Sequence, residues 1–330
     1  MNVLVLGGDL RYLEIINDLC SRYSVDVVGY KNIFINDSVS NVSIDSIDVS
    51  KYDIIVLPVN GVMDDNMIYC RFNNVPISIS DDFFVNSKEN VSIFSGIPTS
   101  CLNKMLEISN RNCTYLMNDI NVIRENAIFT VEGIIADVII NTDRALNDSN
   151  VLVFGYGNVG QVLVKYLNLL GANVTVSIKE YDDKVFLDNQ GVSCFFSNDV
   201  NDLIKNISNT NIIINTVPST IIDDSLIKYI NRDAYVLDIA SHPHGIDREV
   251  LDEFFIKNKL YLGIPGKVAP KTSGKILSKK INEVMGDWYE DWFCDYFVLL
   301  YYWKNNGTGY ESCWFRIWCY SYCFSWCCFL

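Results

Sequence analysis

Residues 151–180, "VLVFGYGNVGQVLVKYLNLLGANVTVSIKE", constrain the fold more than any other stretch of the chain. An apolar β-type run leads into Gly155-x-Gly157-x-x-Gly160, which opens a segment with apolar residues at helical spacing, and a second β-type run follows. Each glycine has its own task in such a turn. Gly155 permits the tight bend, Gly157 lets backbone approach a pyrophosphate, and Gly160 allows the helix to pack closely on the strand. The amides that open the helix, at Asn158, Val159 and Gly160, and the positive end of its dipole then face the phosphates. This order of strand, glycine turn, helix and strand predicts a dinucleotide-binding Rossmann unit.

The end of the second strand indicates which dinucleotide. An NAD-type site places Asp or Glu there for the ribose 2′-hydroxyl, and this chain has Ile178. Ser177 and Lys179 flank it, a hydroxyl and a cation suited to a 2′-phosphate, while Glu180 comes late. NADP is therefore the expected cofactor.

β-type runs alternate with helical patterns through residues 1–285, which predicts an α/β fold of two Rossmann-like, doubly wound domains, the second binding NADP. In the first, over 1–129, "NVLVL" (2–6), "VDVVGY" (25–30), "DIIVLPV" (53–59), "VPISIS" (75–80) and "VSIFSG" (91–96) read as strands. A helix over "TVEGIIADVIINTD" (130–143) joins it to the second domain, 130–285, whose strands are "VLVFG" (151–155), "NVTVSI" (173–178), "NIIINTV" (211–217), "AYVLDIA" (234–240) and "LYLGI" (260–264). Ligands of doubly wound sheets lie beyond the carboxyl ends of the strands. "NTVPST" (215–220), following a strand, then predicts Thr216, Pro218 and Ser219 beside the nicotinamide ribose.

At 330 residues and 49% hydrophobic, the chain has enough apolar material for two such cores. A formal net charge of −14 argues against a nucleic-acid partner but leaves a small anionic substrate open, since a few local cations suffice to hold one. The apolar run at the start is too short for a signal peptide or a membrane span, so a cytoplasmic protein without a membrane partner is expected. Cys20, Cys70, Cys101, Cys113 and Cys194 are scattered singly, which predicts buried or incidental thiols and no metal.

Several segments in order, "NVLVLGGDLRYLEII", "VLPVNGVMDD", "TVEGIIADVIINTD", "VLVFGYGNVG", "NTVPST", "DIASHPHGID" and "GIPGKVAPKTSGKIL", resemble the dipicolinate synthase A-subunit family across nearly all of residues 1–280. The resemblance implies an NADP-dependent enzyme of spore formation. Such an enzyme converts a 4-hydroxy-tetrahydrodipicolinate to pyridine-2,6-dicarboxylate and works with a second, flavoprotein-like subunit. A homo-oligomer is left open.

A ring dicarboxylate approaching so acidic a chain needs cationic partners. Arg11 and Lys267, in matched segments, are the expected carboxylate clamps, followed by Lys271; Arg124 is as well explained by a solvated surface. Thr130 and Glu132 match a "PTAEG"-like family segment in which Phe129 replaces the expected proline, and a first-turn helix carboxylate explains Glu132 equally well. His242 and His244 are the chain's two histidines, in "SHPHG", where the family pattern resembles "ASxPGG", so that His244 stands in place of a glycine. Both read as loop histidines near the cofactor, His242 being the better candidate for a general base. The expected catalytic set is His242, Lys267 and Glu132, with Arg11, Lys267, Lys271 and Thr130 on the substrate.

Two other readings share this plan. A D-2-hydroxyacid or alanine dehydrogenase-like NAD(P) oxidoreductase has the same two domains, but no arginine follows Asp238 until Arg248. A noncatalytic NADP-sensing subunit is the other. Finally, composition breaks over 286–330, which hold all six tryptophans and six of the 11 cysteines. From about Trp288 this tail reads as the product of a shifted reading frame: one base later, a coding of "DWFCDY" (291–296) gives Ile-Gly-Phe-Ala-Ile, a β-type start of another α/β chain.

Overall fold

The computed structural model describes residues 1–286, apart from Asn32, Phe34 and Pro76. The tail expected to be aberrant lies outside the described residues. Met1–Ile281 form one unit that contains two parallel sheets.

The first sheet takes β1 (Asn2–Leu6), β2 (Ser24–Val28), β3 (Val39–Asn41) and β4 (Ile54–Val56). The chain then forms a small antiparallel sheet from β5 (Val62–Met63), β6 (Met67–Ile68) and β7 (Ile77–Ser78), and returns with β8 (Ser92–Ser95) and β9 (Cys113–Tyr115). The second sheet is built from β10 (Asn150–Phe154), β11 (Asn173–Ile178), β12 (Ser193–Phe196), β13 (Ile212–Asn215), β14 (Tyr235–Asp238) and β15 (Lys257–Leu260). Strand orders are β3-β2-β1-β4-β8-β9 and β12-β11-β10-β13-β14-β15, the same doubly wound arrangement twice. The central strands are buried on both faces, which is why they read as unbroken Val, Ile and Leu runs rather than as alternation.

The helices in chain order are α1 (Arg11–Leu19), α2 (Ser100–Ser109), α3 (Ile120–Asn141), α4 (Asn158–Leu169), α5 (Tyr181–Asn189), α6 (Val200–Ser208), α7 (Asp224–Ile227), α8 (Arg248–Glu253), α9 (Ile264–Val268) and α10 (Pro270–Met285). One face of the second sheet packs Leu152, Phe154, Ile213 and Val236 against Leu203 and Ile207 of α6. The other face packs Val151, Val153 and Ile212 against Val131, Ile134 and Val138 of α3 and Leu163 and Leu167 of α4.

Several elements differ from the sequence expectation. The joining helix α3 starts at Ile120, not at Thr130, because the Asp119 carboxylate caps it by accepting from the amides of Asn121 and Val122. Glu132 is therefore a mid-helix residue and not a first-turn carboxylate. The last strand of the second sheet is Lys257–Leu260, earlier than "LYLGI"; as an edge strand paired only with β14 it tolerates the lysines that hid it. Edge strands β3, β9 and β12 carry no long apolar run either. "VPISIS" belongs to the small antiparallel sheet and not to the first parallel one.

Two helices connect the sheets. In α3, Asp137 is buried and receives the Tyr235 hydroxyl at 2.5 Å and an ion pair from Lys259, both of the second sheet. Burial, then the hydrogen bond to Asp137, push the Tyr235 phenol above its ordinary range. In α10, Lys275 pairs with Glu14 of α1 at 3.7 Å, and the Ser278 hydroxyl donates to Asp18. Ser273 donates to Asn126 at 2.8 Å, and Lys280 pairs with Asp119 at 2.6 Å, so α10 is tied to α3 as well.

Candidate functional site

The two sheets present their first turns very differently. In the first sheet, Gly7 and Gly8 follow β1 with φ of +59° and +113°, but the Gly8 amide donates to the Tyr69 carbonyl at 2.7 Å and its carbonyl accepts from the Arg71 amide. A Cβ on Gly29, at the end of β2, would lie 2.7 Å from Cys70 Sγ. The Tyr69–Arg71 segment after β6 thus fills the place where a nucleotide would meet the turn. In the second sheet that place is open. A Cβ on Gly157 would meet nothing within 4 Å, and Gly157 caps α4 with no side-chain bond to the amides behind it. The Asn158, Val159 and Gly160 amides therefore lack the capping partner that Asp119 supplies to α3.

The other two glycines of the turn are fixed by the chain itself. Gly155 has φ +93°, and a Cβ there would stand 2.6 Å from both Thr216 Oγ1 and Val217 Cγ2. A Cβ on Gly160 would lie 2.3 Å from the Gly155 carbonyl oxygen. The Thr216 hydroxyl donates to the Phe154 carbonyl at 2.8 Å, closing "NTVPST" onto the glycine turn and leaving Pro218 exposed beyond it.

At the end of β11, Ile178 is buried in the core, and Ser177 is only 3% exposed, while Lys179 is exposed. Of the pair expected to meet a 2′-phosphate, only Lys179 reaches solvent. Asp183, in the first turn of α5, has its carboxyl raised by burial first, then by Glu180 and Asp182. It acts in turn on Tyr156, within the glycine turn, whose phenol is raised by burial and then by Asp183. A carboxylate therefore sits near the dinucleotide turn from a position outside the usual fingerprint.

Two buried side chains that the sequence reading passed over organise the neighbouring loops. Asp238, 2% exposed at the end of β14, accepts from Asn215 Nδ2 and from the amides of Ala240 and Gly245, each at 2.9 Å. Asn215 is fully buried, takes the Val217 amide at 3.0 Å, and donates to the Val217 carbonyl at 3.1 Å. Together they fold "NTVPST" and "SHPHG" against each other; a Cβ on Gly245 would lie 2.1 Å from Asn215 Nδ2. Replacing Asp238 by Ala takes the acceptor from three buried N–H bonds, those of the Ala240 and Gly245 amides and one of the two on Asn215 Nδ2. The expected loss is roughly 3 kcal/mol or more, at about 1–3 kcal/mol for each buried group left unsatisfied, read by denaturant unfolding.

The same edge leads to the expected substrate residues. The Tyr261 amide donates to the Asp238 carbonyl, and the Tyr261 ring is flanked by Lys259 Nζ at 4.4 Å and Lys267 Nζ at 5.0 Å from its centroid. Lys267 is exposed on α9. The neighbouring Gly266 packs onto the first sheet's turn: a Cβ there would lie 2.7 Å from Asp9 Oδ2 and 2.9 Å from Arg11 Nε. Arg11 thus adjoins the residue before Lys267, remote from it in sequence. Arg11 is 5% exposed and bound to Asp9, with Nη2 at 2.7 Å and Nε at 3.0 Å from its carboxylate. Lys271, in the first turn of α10, is exposed.

On α3, Gly133 packs so tightly on α9 that a Cβ would meet Ile264 Cγ2 at 2.2 Å, which puts exposed Glu132 on a helix touching the one that carries Lys267. The half-buried Thr130 hydroxyl donates to the Asn126 carbonyl of its own helix at 2.9 Å. His242 is exposed, and its ring stands edge-on to that of His244 at 5.7 Å.

The family model for the N-terminal domain of the dipicolinate synthase A subunit matches residues 2–117. The dipicolinate synthase A subunit of Bacillus subtilis (strain 168) is 29% identical over 289 residues, covering 87% of this chain and 96% of the relative. The chain is a homologue of the dipicolinate synthase A subunits, and residues 2–117 carry that family's N-terminal domain. The crystal structure of the dipicolinate synthase A subunit from Bacillus halodurans superposes with a TM-score of 0.81 at 29% identity, over 86% of this chain and 97% of that one. Transhydrogenase from Sinorhizobium meliloti, at 13% identity and TM-score 0.59 over 86% of this chain and 93% of its own, shares the dehydrogenase-like fold alone.

The backbone at His244 is one that a glycine, which the resemblance leads one to expect there, adopts freely. Its φ is +71°, in the region that favours glycine, and its Nδ1 lies 2.8 Å from the Ala240 carbonyl, a contact that offsets part of the strain. Asp9, Tyr261 and Lys259 are the site residues that sequence reasoning missed. "GGDLR" offered a signal for Asp9, since an acid two residues before a buried arginine at a helix start can pair with it. Nothing in "KNKLY" announces that Lys259 and Tyr261 share one face of an edge strand. Among the described residues no helix is long and apolar enough to cross a membrane.

Proposed function

We propose that the chain is the A subunit of a dipicolinate synthase and uses NADP to oxidise a hydroxylated tetrahydropyridine dicarboxylate to pyridine-2,6-dicarboxylate. The observation that carries this reading is the open turn of the second sheet, whose Gly157 leaves room for a pyrophosphate. Homology to the A subunits supports the substrate class, and the dehydrogenase-like fold supports an oxidoreductase.

The reaction must remove water, a hydride and a proton from the ring. Bound NADP would supply the hydride acceptor. The amides of Asn158, Val159 and Gly160 would hold its phosphates, Thr216 and Pro218 would wall the nicotinamide ribose, and Lys179 would meet the 2′-phosphate. Lys267 and Arg11 bind the ring carboxylates, with Lys271 as a further cation. His242, on the loop shaped by Asp238, is the candidate to take the ring proton, because an unprotonated imidazole nitrogen can accept one. Glu132 and Thr130 lie on the helix packed against α9 and complete that wall. The second subunit that the family's name implies is the proposed partner.

The test is reduction of NADP by the purified chain on the hydroxylated ring substrate, with and without the second subunit. No turnover in either case, with cofactor binding intact, would leave the noncatalytic nucleotide-sensing reading. Asp183 near Tyr156 favours a second reading, an NAD site whose ribose meets that carboxylate. The two readings separate in a titration. NADP is expected to bind more tightly than NAD, and Lys179→Asp to reverse the order, since one charge-assisted contact is worth about 1.5–3 kcal/mol. Equal affinity of the unaltered chain for both cofactors would count against Lys179 as a phosphate partner.

A further inference from the structure

Arg11 is an unusual anion binder, because it already holds a carboxylate. Asp9 takes its Nε and Nη2 side at 2.7–3.1 Å, and the pair is largely buried, with side-chain exposures of 6% and 20%. The Asp9 carboxylate also accepts from the Arg11 backbone amide at 3.0 Å, so the acid grips the first residue of α1 and its guanidinium together. Gly266 lies over the Nε and Cζ atoms with no space for a methyl group, and a Cβ on Gly274 would meet the Arg11 carbonyl at 2.5 Å. Asp9 and Gly266 thus fix the guanidinium plane, and Gly274 confines the backbone it springs from. Nη1 makes no hydrogen bond among the described residues, yet it is not a buried orphan. A guanidinium is a planar fork whose edges bind carboxylates in two parallel contacts. With one side filled, Nη1 and the outer hydrogen of Nη2 are what remains for a second carboxylate.

We infer that Asp9 is a positioning residue for substrate: it turns Arg11 so that its Nη1 edge is the edge presented to a ring carboxylate, and Gly266 holds that orientation. The inference rests on the reading above of Arg11 and Lys267 as carboxylate partners. It makes a prediction opposite in sign to simple electrostatics. If Asp9 were only a counter-ion, removing its charge would leave Arg11 more positive and bind a dianion more tightly. As a positioning residue, its loss frees the guanidinium to rotate, and an amide in its place turns a donor toward the guanidinium donors.

The probe is pyridine-2,6-dicarboxylate, titrated calorimetrically into the full-length protein saturated with NADP, alongside thermal unfolding and NADP titration of each variant. Asp9→Asn is expected to weaken the dicarboxylate by about tenfold or more, the loss of one well-aligned charged contact, with NADP affinity unchanged. Asp9→Glu keeps the charge but displaces the carboxylate by one methylene, and is expected to weaken the probe as well. It also stands in if Asp9→Asn does not fold. Unchanged or tighter dicarboxylate binding in either folded variant overturns the inference. Lys267→Ala and Arg11→Gln serve as references. If neither affects the probe, the substrate reading itself fails and the role of Asp9 falls with it; if they weaken it while the Asp9 variants do not, only the positioning role is wrong.

Discussion

Alanine at Gly157 should leave the melting temperature of the protein unchanged and lower NADP affinity by about tenfold or more, whereas alanine at Gly160 should destabilise the folded chain with or without cofactor. Beyond Gly157 and its chain neighbours, no atom of the described residues lies within 4 Å of the place its Cβ would occupy, so the fold accommodates it. The methyl group instead takes the space through which backbone meets a pyrophosphate, and a tenfold loss corresponds to about 1.4 kcal/mol. At Gly160 the new atom would lie 2.3 Å from the Gly155 carbonyl oxygen, a backbone atom held by the turn. Overpacking of this kind costs about 1–3 kcal/mol, and the helix must move off the strand to relieve it. Thermal unfolding of both variants, with and without NADP, separates the two effects. Full NADP affinity in Gly157→Ala would mean that this turn is no phosphate cradle.

Removing the Lys267 ammonium is the larger test of the substrate side. Lys267→Ala should raise the KM for the ring dicarboxylate by roughly tenfold to more than a hundredfold, the value of one charge-assisted hydrogen bond of about 1.5–3 kcal/mol, while NADP affinity stays as it was. Lys267 is exposed and its ammonium lies over the Tyr261 ring at 5.0 Å, so its loss leaves no buried group unsatisfied and should not unfold the protein. Steady-state kinetics with substrate varied at saturating NADP gives the answer. An equal fall in NADP affinity would make Lys267 a cofactor residue instead.

What was legible in the sequence follows from where information is local. β1 falls where its unbroken apolar run predicts, because a central strand buries both faces, and β11, one strand from the edge, is marked by Val174, Val176 and Ile178 alternating with polar residues. Two glycines of the second turn were legible from their spacing, since Gly160 is forced by the Gly155 backbone and Gly155 by the "NTVPST" loop, whereas nothing among the described residues forces Gly157. Edge strands such as β15 are written in lysines and asparagine and lose that signal. The closed first turn was not legible at all: Gly7 and Gly8 look as permissive as the second turn, and only the return of Tyr69–Arg71 from far along the chain fills them. The same limit applies to Asp9 and Gly266, whose contact depends on the whole path through both sheets. Asp238 and Asn215 were readable only as strand ends, because their value lies in satisfying amides of two loops that the fold brings together.

The double connection through α3 and α10 sets the mechanics of the crevice. One linker would act as a swivel, letting two bodies tumble in any direction about a single tether. Here two helices cross, and the bonds from Ser273 to Asn126 and from Lys280 to Asp119 fasten them to each other. Bodies held at two fastened points behave like a door on two hinge pins, turning about the one line that joins them. A movement of one sheet against the other about these two helices would lift Gly266 from Arg11, so the orientation of the guanidinium depends on the two sheets staying together.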